Sequence, residues 1–454
     1  MTSAGLDALI DFASGIDGDQ IPNLIRRRAA LILLDFLGVA ALGARDPFLR
    51  RLRAALAGNS QGPATIIGTG YTANPGLAAM FNAATCSVTQ IDEGHRESQS
   101  HPGIHVLPAV MAVAEQERVS GYEMITALVV GYEFGARLSK ALSPLKPQVH
   151  PHGNLATIGA AVGVAKLLGA TRQQIKETVE SAAAVLVHGP ESSTRAGASS
   201  HHLFAGLGAQ SAVIVGRGAI AGMTGTPGTV DKHLLSLDCL GSADAIVAGK
   251  GEWAIVDSYF KMIPACAHLA TTVEALDSML PGIDTAQVVG VSVETYAQAA
   301  ALNNSAPASA LAAKFSIPFA VAARLRSPND SYLTLHFTDH RDGDLKTLMQ
   351  RVSVREDPRM SLQYPACRPT RVTIALQDGR KLSATRDIPT GDARRPVTER
   401  DLIAKFLSIA RHGFVSTTLE TIAQRALDID VESDVSGFFA MLRAAAIEES
   451  AAHD

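Results

Sequence analysis

The sequence contains few cysteines and few aromatic residues. Its four cysteines are far apart and form no C-x-x-C pair, which argues against a zinc ribbon and, more weakly, against an iron–sulfur cluster. Reduced thiols of this kind are typical of cytoplasmic proteins. Only 5% of the residues are aromatic. A core must therefore be built mainly from Ala, Leu, Val and Ile, which suits closely packed helices.

A positive net charge and long hydrophobic runs are also absent. The net charge of -4 gives no general attraction for nucleic acid or an anionic membrane. Asp7, Asp11 and Asp17 precede the first basic residue, unlike in a signal peptide. Apolar runs such as 29–42 are too short and too interrupted to span a bilayer. The sequence predicts a soluble, cytoplasmic protein that binds neither nucleic acid nor a membrane.

Several common catalytic motifs are missing. The glycine-rich run at 224–229 lacks the G-K-[ST] of a phosphate loop, and Pro227 removes a donor N–H from it. There is no G-x-S-x-G and no G-x-G-x-x-G after a strand, so neither a serine hydrolase nor a dinucleotide-binding dehydrogenase is supported. No H-E-x-x-H or E-x-x-H spacing indicates a metal site.

The first half of the chain has the spacing of helices. Apolar residues recur every three or four positions in 6–12, 21–42 and 77–88. Ser120 with Glu123, and Thr171 with Gln174, form capping boxes that start two further helices, ending near 142 and 187. The Ala- and Gly-rich segment 155–168 predicts a buried helix that neighbours approach closely, and 202–221 continues the pattern.

The pattern changes after Pro264. Segments 287–296 and 351–355 alternate as strands do, and 371–376 with 380–384 form a hairpin around Asp378-Gly379. Segment 310–325 is predicted to be helical, and Thr398 with Asp401 begins a return to helix up to the end. The sequence thus predicts a mainly α protein with an α+β part: an all-helical domain (1–264 and 398–454) and a smaller α+β lid domain (265–397).

Gln90–Pro108 is the most unusual stretch of the sequence. Both flanking segments are apolar, yet it contains seven ionisable residues: Asp92, Glu93, His95, Arg96, Glu97, His101 and His105. Burying such groups is costly unless they are paired, so a functional site is the natural expectation. Asp92, Glu93, His95 and His101 offer oxygen and nitrogen ligands, but without a metal-binding spacing we predict no metal here.

Further histidines occur where the periodic pattern breaks: His150, His152, His201, His202 and His268. One such histidine is usually a helix cap or a satisfied core group, but several in one helical domain favour a shared pocket. Lys261 is either a surface lysine or a group that binds a carboxylate or transfers a proton. Arg96 and Arg195 could clamp a carboxylate or form structural ion pairs.

These residues resemble the motifs of the MmgE/PrpD family, which includes 2-methylcitrate dehydratase, cis-aconitate decarboxylase and iminodisuccinate epimerase. D-E-G-H at 92–95 and S-H-P-G at 100–103 are similar to its D-D-T-H…S-H-P-G signature. Similar segments follow in order over nearly the whole chain, at 33–39, 150–153, 261–268, 314–319 and 378–392. The ordered set is specific, although each piece alone is weak.

The resemblance implies a homodimer that acts on di- or tricarboxylates without a metal or other cofactor, with the active site between the two domains. Matched positions give a catalytic core of His101, His150, Lys261 and His268, with Asp92, Glu93 and His95 nearby. The predicted substrate-binding residues are Gln90, Asp92, Glu93, His95, Arg96, Arg195 and His201.

Some positions depart from the family pattern. Gln90 replaces an acidic residue, His201 stands where the family has a lysine, Phe204 where it has a histidine, and Phe319 where it has a tyrosine. We predict a hydro-lyase that removes a proton beside a carboxylate, with histidines and lysine stabilising the developing charge. The alternatives are an epimerase or isomerase with two bases, a decarboxylase, and a non-catalytic carboxylate-binding protein.

Overall fold

The computed structural model describes residues 4–56, 61–234, 239–242, 245–246, 252–331 and 333–447. Its first half is mainly helical, as the apolar spacing predicts. The capping boxes of Ser120 and Thr171 are both present. The helices of this half are α1 (Ala4–Gly15), α2 (Asn23–Gly43), α3 (Pro47–Leu56), α4 (Pro75–Thr89), α5 (Pro102–Glu117), α6 (Gly121–Leu142), α7 (Ala156–Leu167), α8 (Arg172–Ala184), α9 (Ser192–Ala196) and α10 (His202–Ile220).

Small residues let the central helices pack closely. α7 contacts α5, α6 and α10. A side chain at Gly159 would collide with the backbone of Gly131 and Gly135 in α6, so the α6–α7 approach requires glycine there. Among the described residues, one segment, Ser199–Ile220, has the length and hydropathy of a membrane-crossing helix, and 56% of its apolar window is buried. The core helix of a soluble protein has the same properties.

Two short β pairs interrupt the helical half, so the expectation of an all-helical domain was incomplete. β1 (Ala64–Thr65) pairs with β2 (Thr72–Ala73), and β3 (Gly94–His95) pairs with β4 (Ser258–Tyr259), both antiparallel. Strands of two residues are too short to produce an alternating pattern. The β3–β4 pair has a functional consequence, because it brings the segment before Lys261 alongside the charged stretch.

The α+β part contains a sheet of order β6-β5-β7-β8. Its strands are β5 (Val288–Thr295), β6 (Val352–Glu356), β7 (Thr370–Leu376) and β8 (Lys381–Arg386). β6 runs parallel to β5, whereas β7 is antiparallel to both β5 and β8. The predicted strands and the hairpin are confirmed, and Gly379 at its turn has a φ of 86°.

Helices cover this sheet, and one of them differs from its prediction. The helices are α11 (Ala270–Asp277), α12 (Ala297–Ala300), α13 (Ala310–Ala313), α14 (Ile317–Arg326), α15 (Thr334–Phe337), α16 (Gly343–Met349) and α17 (Pro358–Ser361). The helix predicted over 310–325 is split, because the Ser316 hydroxyl accepts the Phe319 N–H and starts a new helix with Pro318 in its first turn.

The chain then returns to the helical half through α18 (Glu399–Ala410), α19 (Leu419–Leu427) and α20 (Ser436–Ala444). The predicted capping box of Thr398 and Asp401 starts α18, which packs on α2. The predicted continuation to the end is thus three helices, and 448–454 lie outside the described residues.

Two large hydrophobic clusters correspond to the two parts of the chain. One combines residues up to Phe260 with Leu333 and residues from Leu402 onward, and the other extends from Ile263 to Leu376. This arrangement supports the proposed division into 1–264 with 398–454 and 265–397, whose boundaries stay a prediction. Lys314 links the parts, because its Nζ donates to the Val88 and Thr89 carbonyls (2.7 and 3.2 Å) at the end of α4.

Candidate active site

A left-handed turn after α4 directs the charged stretch into the interior. Gln90 caps the C-terminus of α4 and has a φ of 58°. Asp92 follows and is buried; its Oδ1 lies 3.0 Å from Lys261 Nζ, and its Oδ2 lies 2.9 Å from His101 Nδ1. Three residues of the predicted site therefore meet in one buried group, which we call the Asp92 triad (Asp92, His101 and Lys261).

The neighbours of His101 determine which ring nitrogen can accept a proton. His101 Nδ1 lies beside Asp92 Oδ2 and 2.8 Å from the Glu93 carbonyl oxygen. Because both are acceptors, Nδ1 carries the hydrogen of the neutral ring, which puts the lone pair on Nε2. The side chain is 16% exposed at the start of α5. His101 Nε2 is thus a candidate general base, held in position by the Glu93 carbonyl and with the Asp92 carboxylate beside its Nδ1.

Three more histidines adjoin the triad. The ring centroid of His150 lies 4.7 Å from that of His152 and 4.6 Å from that of His201. The rings of His152 and His101 are 5.0 Å apart. The structure therefore brings together histidines from three separate turns of the sequence, as the shared-pocket hypothesis requires.

His150 has the opposite tautomer to His101. Its Nδ1 accepts the backbone N–H of His152 at 3.0 Å, so the hydrogen of the neutral ring is on Nε2. That Nε2 lies 3.8 Å from Glu191 Oε2. Burial raises the pKa of Glu191 to about 7. A carboxyl group that titrates near neutrality beside an imidazole N–H can supply or remove protons.

The charges of this region differ from what its histidine content suggests. Burial lowers the pKa of His150, His152 and His201 well below 6.5, so these rings are neutral near pH 7. Burial alone would raise the pKa of Asp92, but Lys261 and His101 outweigh it and hold this pKa well below 3.8. Positive charge in the site therefore comes from lysine and arginine rather than from a group of imidazolium ions.

The α+β part contributes an aromatic side of the site. His268 Nδ1 lies 2.5 Å from the Tyr296 hydroxyl, and the Tyr296 ring stacks on Tyr364 at 5.1 Å. The guanidinium carbon of Arg368 lies 5.3 Å from the ring centroid of Tyr259. Tyr259 in turn lies 6.3 Å from the His101 ring. The site thus contains groups from both parts of the chain.

Models of known protein families match nearly the whole chain. A model of the MmgE/PrpD N-terminal domain matches residues 7–246, and a model of the MmgE/PrpD C-terminal domain matches residues 263–429. The chain belongs to the MmgE/PrpD family. The resemblance seen in the sequence motifs is thereby confirmed.

Three relatives in this family are cis-aconitate decarboxylases. The enzyme of Aspergillus terreus is 24% identical over 469 residues, which cover 95% of this chain and 94% of that protein. The Mus musculus enzyme is 23% identical over 471 residues, with 97% and 94% covered. The Homo sapiens enzyme is 23% identical over 468 residues, with 95% and 94% covered. These MmgE/PrpD relatives support the prediction that this chain is an enzyme.

Two residues predicted for substrate binding, Glu93 and His95, have hydrogen-bond partners within the protein. Glu93 accepts the Tyr132 hydroxyl at 2.5 Å and the Gly103 N–H at 2.9 Å, and burial raises its pKa to about 8. His95 lies between the Ser98 hydroxyl and the Ala254 carbonyl, at 3.0 and 3.1 Å. Both side chains hold the charged stretch in its fold, and their role in binding substrate stays a prediction.

The two predicted arginines lie at the margin. Arg96 Nε is 3.3 Å from Asp392 Oδ2 in the loop that follows β8, so this ion pair joins the two parts of the chain. Arg195 is exposed, and its charge acts on Glu191. Neither arginine contacts the Asp92 triad in the described structure.

Three of the four positions that depart from the MmgE/PrpD pattern cluster around the His201 ring. Gln90 Nε2 donates to the Ser87 carbonyl at 2.7 Å and lies 3.5 Å from His201 Nε2. The Phe204 ring lies 5.4 Å from the His201 ring. Phe319 is 2% exposed in the core of the α+β part. The exchanges at Gln90, His201 and Phe204 therefore change one edge of the site together.

The histidines also form groups that could ligate a cation. Ligand atoms of His150, His152 and His201, and those of Asp92, His101 and His152, lie within 4.8 Å of one another. Neutral imidazoles are common zinc ligands. The prediction of metal-free chemistry thus stays a prediction, and metal analysis of the purified protein tests it.

Four residues near the site were not among the predicted site residues: His152, Glu191, Tyr296 and Arg368. His152 had a visible signal, since it shares the H-P-H-G segment with His150. Glu191 and Arg368 are single charged residues next to prolines, without a spacing that points to a site. Tyr296 ends a strand segment, where an aromatic residue is ordinary.

Proposed function

We propose that this protein is a lyase that acts on a di- or tricarboxylate by forming a carbanion beside a carboxylate. The observation that carries the proposal is the Asp92 triad, in which one oxygen of the buried carboxylate lies 2.9 Å from His101 Nδ1 and the other lies 3.0 Å from the Lys261 ammonium. A carbanion of this kind needs a proton-transfer group and a nearby fixed positive charge, and His101 and Lys261 provide them.

Loss of CO2 is the form of the reaction that we favour. The cis-aconitate decarboxylases align with this chain over nearly its whole length. In such a reaction the C–C bond breaks, its electron pair stays on the substrate carbon and spreads toward a remaining carboxylate, and one proton is returned to carbon. Lys261 stabilises the charge, while the pair formed by His150 Nε2–H and the Glu191 carboxyl, 3.8 Å apart, returns the proton.

Dehydration is the second candidate, and the opposite tautomers of His101 and His150 favour it. Removing water from a hydroxylated acid needs one group that takes a proton from carbon and another that protonates the departing hydroxyl. His101 Nε2 has the lone pair for the first step, and His150 Nε2 has the hydrogen for the second. The same pair would serve an epimerase if the two rings faced opposite sides of one carbon.

The remaining parts of the proposal concern the state of the protein. We propose a homodimer that works in the cytoplasm without a metal or other cofactor. Light scattering of the purified protein and metal analysis test the dimer and the absence of a metal.

One NMR experiment distinguishes the reactions. The protein is incubated in D2O with cis-aconitate, citrate, 2-methylcitrate, malate, tartrate or iminodisuccinate. We expect cis-aconitate to give an unsaturated dicarboxylate that carries one carbon-bound deuterium, together with CO2. New alkene signals from a hydroxy acid would instead indicate a dehydratase, and deuterium uptake without loss of substrate an epimerase. No change in any acid would contradict the proposal.

A further inference from the structure

Arg368 is a buried arginine without an anionic partner. Arg368 is 8% exposed, and its Nε donates to no acceptor among the described residues. Among the residues that the structure describes, it forms no ion pair. Two other buried arginines of this chain are paired with carboxylates: Arg26 with Asp430 at 2.6 Å and Arg324 with Asp277 at 3.0 Å. A buried guanidinium is costly unless it is paired and hydrogen-bonded, so Arg368 lacks something that the other arginines have.

Its aromatic neighbours compensate only part of that cost. The guanidinium carbon is 5.3 Å from the centroid of Tyr259, a distance at which the ring attracts a cation. The hydroxyl of another neighbour, Tyr296, is already engaged with His268. Rings attract the charge, but they do not accept the in-plane N–H groups of the guanidinium.

Arg368 also faces open space next to the Asp92 triad. It lines a cavity together with Tyr259 and Lys261. Two carboxylates at its wall, Glu274 and Asp392, are bound to arginines of their own (Arg395 for the first, Arg96 and Arg394 for the second). Lys261 of the Asp92 triad lines the same cavity as Arg368, and so does Tyr259, whose ring lies 6.3 Å from the His101 ring.

The two buried cations of this cavity differ in what they can offer. Lys261 is balanced by Asp92, whereas Arg368 has a charge and a fork of donors without a partner. We propose that Arg368 binds one carboxylate of the substrate in a bidentate manner. This carboxylate is not the one beside the reacting carbon. The inference rests on the proposed function and deepens it: the substrate must carry at least two carboxylates, one at the triad and one at Arg368.

Binding of tricarballylate, a saturated tricarboxylate that has neither an alkene nor a hydroxyl to react, tests this. Calorimetric titration compares wild type, Arg368→Met and Arg368→Lys. The control is Arg371→Met, which removes an equal charge from a partly exposed site on β7 that is paired with Glu294. We expect Arg368→Met to weaken binding by about 30-fold or more, Arg368→Lys by less, and Arg371→Met to have no effect.

Thermal unfolding without ligand separates binding from a structural role. Because Arg368→Met removes an uncompensated buried charge, we expect its Tm to equal or exceed that of wild type. A marked loss of Tm would overturn the inference, as would unchanged tricarballylate binding by the variant. Failure of wild type to bind tricarballylate, citrate and cis-aconitate would also overturn it.

Turnover distinguishes failure of this inference from failure of the proposed function. Binding that depends on Arg368, without conversion of any acid, would leave the carboxylate subsite in place and refute the lyase. Turnover by Arg368→Met with an unchanged KM would refute the carboxylate subsite and leave the proposed lyase in place. The expected result is a raised KM with a smaller change in kcat.

Discussion

The site has two sides that handle charge differently. We define the histidine side as Asp92, His101, His150, His152 and His201, and the arginine side as His268, Tyr296, Tyr364 and Arg368. On the histidine side, buried groups largely partner one another: the Asp92 carboxylate is held by His101 and Lys261, and the buried rings are neutral. The arginine side has a buried positive charge, that of Arg368, with no ion pair to any residue that the structure describes. The difference indicates a division of tasks, with proton transfer on one side and carboxylate binding on the other.

Lys314 connects this division to the fold. It comes from the α+β part, yet its ammonium group reaches the carbonyls that end α4, immediately before Gln90 and Asp92. Its third contact is His336 Nδ1 at 2.9 Å. Since burial lowers the pKa of His336 to about 2, that ring is neutral and accepts a hydrogen from Lys314 Nζ, and burial lowers the pKa of Lys314 to about 7. The α+β part therefore fixes the end of the helix that presents the histidine side.

The largest effect should follow from removing a proton-transfer ring. We expect His101→Asn and His150→Asn each to lower kcat by about 10²- to 10⁴-fold on the substrate identified by NMR. His340→Asn, a histidine beside Asp339 in the α+β part, serves as the control. Full turnover by both site variants would remove the catalytic assignment from the histidine side.

The next largest effect concerns stability. Lys261→Met should lower the free energy of unfolding by about 3–5 kcal/mol, because it leaves the buried Asp92 carboxylate without its ammonium partner. Urea denaturation measures this loss. Combining Lys261→Met with Asp92→Asn should recover much of it, since the second change removes the unpaired charge. If the single variant is as stable as wild type, the histidine side does not depend on this ion pair.

Local patterns in the sequence predicted much of the fold. The capping boxes at Ser120, Thr171 and Thr398 and the Asp-Gly turn each involve residues a few positions apart, so their chemistry is readable without a structure. The split of 310–325 was readable too, because Ser316 followed by Pro318 is a helix-start signal. There the apolar spacing outweighed the capping signal in the prediction.

The site was only partly predictable, because a high density of ionisable residues in the sequence does not show which of their side chains face the site. The charged stretch contains His101, which faces the site, and also Glu93 and His95, which face their own partners. Arg368 had no pattern around it, and its place depends on contacts between segments distant in sequence. The neutral state of the histidines depends on burial, which residue identity does not reveal.

Glu93 offers a test of that burial through pH. Its pKa when folded is about 8, above the ordinary 4.5. The folded state therefore keeps a proton that the unfolded state releases, so this contribution to stability is complete below about pH 4.5 and is lost as pH rises through 8. Between about pH 5 and 9, wild type should lose about 4 kcal/mol more stability than Glu93→Gln, which cannot titrate.

Urea denaturation at several pH values measures this difference, and Glu420→Gln on an exposed helical position is the control. Parallel pH dependence in wild type and Glu93→Gln would mean that the carboxyl is not buried in its proton-holding state. The charged stretch would then be more solvated than the packing of Tyr132 on Glu93 implies.

The smallest effect should follow from adding charge to the histidine side. Gln90→Glu restores an acidic residue at the position where this chain departs from the MmgE/PrpD pattern, and it places a carboxylate beside His201. Because a substrate carboxylate and the new one repel, KM should rise about fivefold with little change in kcat, and Gln90→Met should not reproduce the rise. A lower KM would instead mean that His201 has taken up a proton and binds the substrate as a cation, so the histidine side would share the task assigned to Arg368.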